Sequence, residues 1–172
     1  MLQKNAVLVP GRPLQQRIQG NGGWVEGDTK FSGQNPPNGA VINYYQKARH
    51  VIGRMKLEIL DEQGNVVDTL PAAKRKGMNR VVWSMGTKPP KVPPAASLAF
   101  FSTNGVRFPP GKYTVRLTKA GEVSTMPLEI GLDRRATFTV ADRKAQYDAA
   151  MRVAGLFKRV STLGGKLRGA NA

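Results

Sequence analysis

The chain has 172 residues, no cysteine, and 27 Lys and Arg against 11 Asp and Glu, for a formal charge of +16. That length suits one domain, or one domain with an appended element, and can bury a sizeable core. The missing thiols exclude a disulfide framework, a thiolate nucleophile and a sulfur-based zinc site, and no segment reaches the roughly 20 apolar residues of a membrane-spanning helix.

Residues 1–34 read as a lead-in segment with one short strand. The apolar run Ala6 to Val9 is ended by Pro10 and Gly11, so the N-terminus lacks the hydrophobic stretch of a secretory signal and is not expected to direct export. "WVEGDTKF" (24–31) reads as a short edge strand or loop. The sandwich proper is expected over 35–138. "NPPNG" is dense turn chemistry, and the β-branched and aromatic run after it predicts a buried strand at 40–46. "MKLEILDEQGNVVDTL" alternates Met55, Leu57 and Ile59 inward with Lys56 and Glu58 outward, turns through a polar loop containing Gly64, and returns as a β-hairpin.

"MNRVVWSM" (78–85) is a further strand, and "KPPKVPPAAS" has too many prolines to pair centrally, so an extended surface connection is expected. "PPGKYTVRLTKAGEVSTMPLEIGL" forms a second hairpin with Ala120-Gly121 at its turn; Pro127 confines the returning strand to an edge or to its own start. At Thr139 the period changes. Thr139 with Asp142 has the form of a helix N-cap, and Tyr147, Ala150, Met151, Ala154 and Phe157 recur at helical spacing, giving an amphipathic helix over 139–162. Residues 163–172 read as a flexible basic tail. The fold class is mainly β: an antiparallel, immunoglobulin-like β-sandwich with a C-terminal amphipathic helix.

Three stretches carry a family likeness: "NPPNGAVINYYQ", "LEILDEQGNVVDTLPAAKRKGMNRVVWSM" and "PPGKYTVRLTKAGEVSTMPLEIGLDRR". In order and wording, over roughly Val7 to Lys158, they resemble the C-terminal module of bacterial BNR-repeat, sortilin-like (Vps10-type) β-propeller proteins often labelled glycosyl hydrolases. The resemblance implies an immunoglobulin-like sandwich, similar also to flagellar hook-capping and secretion-sorting domains. It implies a β-propeller domain or other protein subunit as partner, and an exported setting. No Ser-x-Asp-x-Gly-x-Thr-Trp Asp-box occurs, so no glycosidase residue of the family has a counterpart and no activity carries over.

A glycosidase needs two carboxylates across one bond. Glu26 with Asp28, and Asp61 with Glu62, are the available pairs, and both read as surface charge. Asp61-x-Gln63-x-Asn65 lacks the Gly and distal Glu of a calcium loop. His50, the single histidine, reads as a solvated loop residue. Trp83, Tyr113 and one of Tyr44 and Tyr45 fall at core-facing positions, and Trp24 stays open between core and stacking surface. The cations scatter over several elements. Lys74, Arg75 and Lys76 with Arg80, and Arg152, Lys158 and Arg159 on the helix, are the candidate contacts for an anionic glycan or nucleic acid; the alternative is a solvated loop tip and helix face. The expected function is a non-catalytic accessory module without cofactor or metal; the alternative is a free-standing basic subunit that binds an anionic polymer or builds a larger assembly.

Overall fold

The computed structural model describes residues 4–18, 37–90 and 104–170. The expected strand at 24–31, with Trp24, Glu26 and Asp28, and most of the proline-rich connection lie outside those residues. Elements follow in the order β1 (Ala6–Val9), β2 (Leu14–Gln16), β3 (Ala40–Gln46), β4 (Met55–Leu60), β5 (Val66–Leu70), β6 (Gly77–Trp83), β7 (Gly111–Lys119), β8 (Glu122–Leu132) and α1 (Val140–Ala170). They divide between two compact units, Met1–Ser84 with Gly111–Thr137, and Met85–Pro110 with Phe138–Ala172. The architecture is a β-sandwich with a C-terminal helix, the class read from the sequence.

In the first unit a three-stranded sheet, β1-β3-β6, faces a five-stranded sheet, β2-β8-β7-β4-β5. Period-2 patterning makes the core: Ile42 and Tyr44 from β3, Trp83 from β6, Leu57 and Ile59 from β4, and Val115 and Leu117 from β7 are all buried. Trp83 lies edge-on to Tyr113 at a centroid distance of 5.6 Å, so the aromatic pair spans the two sheets. Tyr44 is the inward member of the tyrosine pair and Tyr45 the outward one. Gly39 enters β3 so close to β6 that a Cβ there would sit 2.5 Å from the Trp83 carbonyl oxygen.

Both hairpins form where their turn chemistry lies. The Asp61 carboxylate accepts hydrogen bonds from the Gln63 and Asn65 amides at 3.0 and 2.8 Å and from Asn65 Nδ2 at 3.1 Å. Those bonds, the one to the Asn65 side chain foremost, hold Asp61 below its ordinary pKa. Its charge builds the turn. At Ala120-Gly121 both residues have positive φ, +49° and +87°, as a two-residue type I′ turn requires. Counting back from that turn, Pro127 opposite Thr114 falls at a non-hydrogen-bonded position facing the outer edge, and β2 reaches only as far as Ile130. The missing N–H therefore costs the ladder nothing, and Pro127 does not confine β8 to an edge or to its own start as expected: it stands at the middle of a strand that lies between β2 and β7.

Four further sequence expectations are corrected. One pairing is not antiparallel: β2 lies parallel on β8, because the chain crosses from one sheet to the other after Pro10 and Gly11 without reversing. Glu58 points outward yet is buried, covered by Arg116 directly opposite it on β7, with Arg116 Nε and Nη2 both 3.0 Å from Oε2. His50 is buried rather than solvated, its ring Nε2 3.1 Å from the Gly53 carbonyl oxygen. The tail is helical: α1 continues through Gly164 and Gly165 to Ala170, since Lys, Leu and Arg hold the helical period beyond them and Thr162 bonds back to the Lys158 carbonyl.

In the second unit, Thr139 caps α1 as expected. Its hydroxyl accepts the Asp142 amide at 3.1 Å, while Asp142 Oδ2 accepts the Thr139 amide at 2.8 Å, closing a reciprocal capping box. Tyr147, Ala150, Ala154 and Phe157 are half-buried, and Phe108 stacks at a tilt on Tyr147 with centroids 5.9 Å apart.

Candidate functional site

The loop carrying Lys74, Arg75 and Lys76 joins β5 to β6, one strand from each sheet. Its backbone is pinned from beneath. The Ala73 carbonyl accepts the Tyr44 hydroxyl and Gln46 Nε2, both at 2.7 Å. The Lys74 carbonyl accepts the His50 amide at 3.0 Å, and the Arg75 carbonyl accepts Asn79 Nδ2 at 2.9 Å. Three successive carbonyls held this way leave three exposed cationic side chains on a fixed backbone. Burial is also the largest influence on Tyr44, and it raises the phenol pKa above its ordinary value.

The His50 bond brings a second basic loop alongside. Lys47 and Arg49 are exposed on it, and Lys47 leaves β3 right after Gln46, the residue opposite Gly77 in the β3-β6 register. Lys47 and Lys76 therefore flank two paired strand ends. The chain carries no Asp or Glu between Asp68 and Glu122, and none between Gln46 and Lys56, so neither loop neutralises its own charge. Beneath the second loop the buried Lys119 donates to the Ala48 carbonyl at 3.1 Å, which fixes its base.

These loops border the outer face of the three-stranded sheet. Register places Val7 beside Tyr45 and Tyr45 beside Met78, then Val9 beside Asn43 and Asn43 beside Arg80, with Val41 beside Val82. Residues directly opposite share a face. That face is apolar but for Asn43 and Arg80, and Met78 and Val82 stay 62% and 43% exposed. Arg80, a candidate contact in the sequence, thus lies within the apolar surface rather than in the loop cluster. Arg152, Lys158 and Arg159 are exposed on α1 in the other unit, so the seven candidate cations do not form one cluster within a unit. The apolar sheet face was missed in the sequence, although Val41, Tyr45, Met78 and Val82 already stood at the outward positions of their strands.

Among the described residues, no nucleophile and base converge at this surface. His50 is bonded to its own loop, and among the described residues no group of three His, Cys, Asp or Glu residues could hold a metal. No described helix is long and apolar enough to cross a membrane. No family model, curated protein or solved structure matches the chain.

Proposed function

We propose that the chain is a non-catalytic β-sandwich module that packs on or presents a partner protein, a BNR/Vps10-type β-propeller being the partner its sequence resemblance points to. The outer face of the three-stranded sheet carries this reading: Met78 and Val82 expose apolar surface on either side of the Asn43–Arg80 pair, with cations on the bordering loops. Exposed apolar residues interleaved with arginine suit a protein interface, and Arg80 with the loop cations selects a partner with acidic residues at matching places. The test is co-elution of the chain with a recombinant BNR-type propeller domain from the same source. Met78→Asp with Val82→Asp should abolish the complex while far-UV circular dichroism stays unchanged. No complex, or one indifferent to both substitutions, overturns the reading.

The pinned loop favours a second reading, a surface for an anionic polymer. Binding to heparin or single-stranded DNA should then fall steeply with salt. Replacing Lys74, Arg75 and Lys76 by Ala should flatten the log–log salt slope by roughly 2 to 3, about 0.7–0.9 for each phosphate no longer neutralised. An unchanged slope excludes the loop.

A further inference from the structure

Besides the half-buried row at Tyr147 to Phe157, α1 carries a second apolar row that the described residues leave open. Val153, Leu156, Val160, Leu163 and Leu167 follow one another at spacings of three, four, three and four, and their exposure is 51%, 55%, 57%, 59% and 67%. On a helix this is a narrow stripe of the width of a coiled-coil seam, with Val153, Val160 and Leu167 at the a positions and Leu156 and Leu163 at d. We propose that this seam pairs with the same seam of a second copy of the chain, forming a parallel, in-register two-stranded coiled coil.

Two features select that occupant. Val at two of the three a positions with Leu at both d positions favours parallel two-stranded pairs, and a seam that matches itself needs no other protein. The flanks then set direction. The g positions are Arg152, Arg159 and Lys166, and the e positions are Ala150, Phe157 and Gly164. In a parallel pair each g residue faces an e residue of the next heptad, so Arg152 meets Phe157 of the second copy and Arg159 meets Gly164. In an antiparallel pair g faces g, and the three cations of one helix oppose those of the other. Like charges therefore penalise the antiparallel arrangement and leave the parallel one without clashing pairs.

The experiment is light scattering of the full chain during size-exclusion chromatography, from about 1 to 200 μM, a range that brackets micromolar association. The wild type should shift from 18.7 kDa to twice that mass. The shift should sharpen as salt rises, because each copy carries +16. Leu156→Glu with Leu163→Glu should weaken association on the order of 100-fold or more, with near-ultraviolet circular dichroism of the sandwich unchanged. Since the chain has no cysteine, Leu163→Cys gives a direct test of register: oxidation should link two copies through that d position and leave a Lys166→Cys chain mostly unlinked. A monomer at every concentration overturns the proposal, as does a dimer indifferent to the Glu pair or a failure of Leu163→Cys to cross-link. So does a monomer that binds anionic phosphatidylglycerol vesicles through the same leucines.

Discussion

Trp83 is the largest side chain fully enclosed between the sheets, and its removal gives the sharpest check on the core. Trp83→Ala should cost about 3–5 kcal/mol for the lost burial and the cavity left behind, of which roughly 0.5–1.5 kcal/mol reflects the edge-on packing with Tyr113. For a chain of this size that lowers the melting midpoint by about 6–20 °C, at roughly 2–4 °C per kcal/mol. A second effect is separable. Trp83 Nε1 donates to Asp68 Oδ2 at 2.9 Å, a bond from β6 to β5 that links the two sheets at one edge. Trp83→Phe keeps a ring against Tyr113 and removes this bond, worth about 1.5–3 kcal/mol when the acceptor is charged. Urea unfolding followed by far-ultraviolet circular dichroism, on Trp83→Phe, Asp68→Asn and the double variant, isolates the coupling. A coupling of about 1 kcal/mol or more is expected; additivity within about 0.3 kcal/mol would show that the bond does not hold the sheets together. A Trp83→Ala cost below about 1.5 kcal/mol would refute the core described above.

Three further outcomes follow from local geometry. Ala120 holds a left-handed conformation that costs an L-residue about 1–2 kcal/mol, so Ala120→Asn, completing an Asn-Gly turn, should raise the urea midpoint by the equivalent of about 1 kcal/mol; an unchanged midpoint contradicts the turn type. Gly155 and Gly165 lie within α1, where an added Cβ meets nothing within 4 Å, so Gly→Ala at both should raise helicity and stabilise α1 by about 1 kcal/mol each. Asp133 accepts Arg135 Nη2 at 2.7 Å, the Arg135 amide at 3.0 Å and the Ile18 amide at 2.8 Å, and the Arg135 side chain is the foremost cause of its pKa lying well below the ordinary 3.8. A carboxyl depressed in the folded state contributes stability that is complete above its unfolded pKa and is lost as pH falls below about 4. Denaturant midpoints measured from pH 6 down to 2 should decline on that acid limb, and Asp133→Asn should flatten the decline; a parallel decline would assign it to other carboxylates.

Legibility followed the range of the interaction. The Asp61 turn, the Ala120-Gly121 turn and the Thr139-Asp142 capping box each close within five residues, and all three stood in the sequence. The inward faces of β3, β4 and β7 came from simple alternation. What escaped depends on distant partners. Three residues of β2 have no pattern that names β8 as their neighbour. His50 is buried because its loop is bonded to Lys74, and Glu58 because Arg116 sits opposite it 58 positions away. The second apolar row of α1 was written in the sequence but overlaid by the Tyr147–Phe157 row, two periodicities sharing one helix.

The clasp of β2 on β8 sets an order on synthesis. Ile18 is tied through both its amide and its carbonyl to Asp133 and Arg135, more than a hundred residues later. While the ribosome makes the middle of the chain, β1 can find β3, but β2 has no neighbour until the second hairpin emerges. Residues Leu14 to Ile18 must stay unpaired through most of translation, so the sandwich closes late, and folding is slowed by its most distant pairing. A stalled chain ending before residue 130 should leave Leu14 to Ile18 open to proteases, and one extended past Arg135 by enough residues to clear the exit tunnel should protect them.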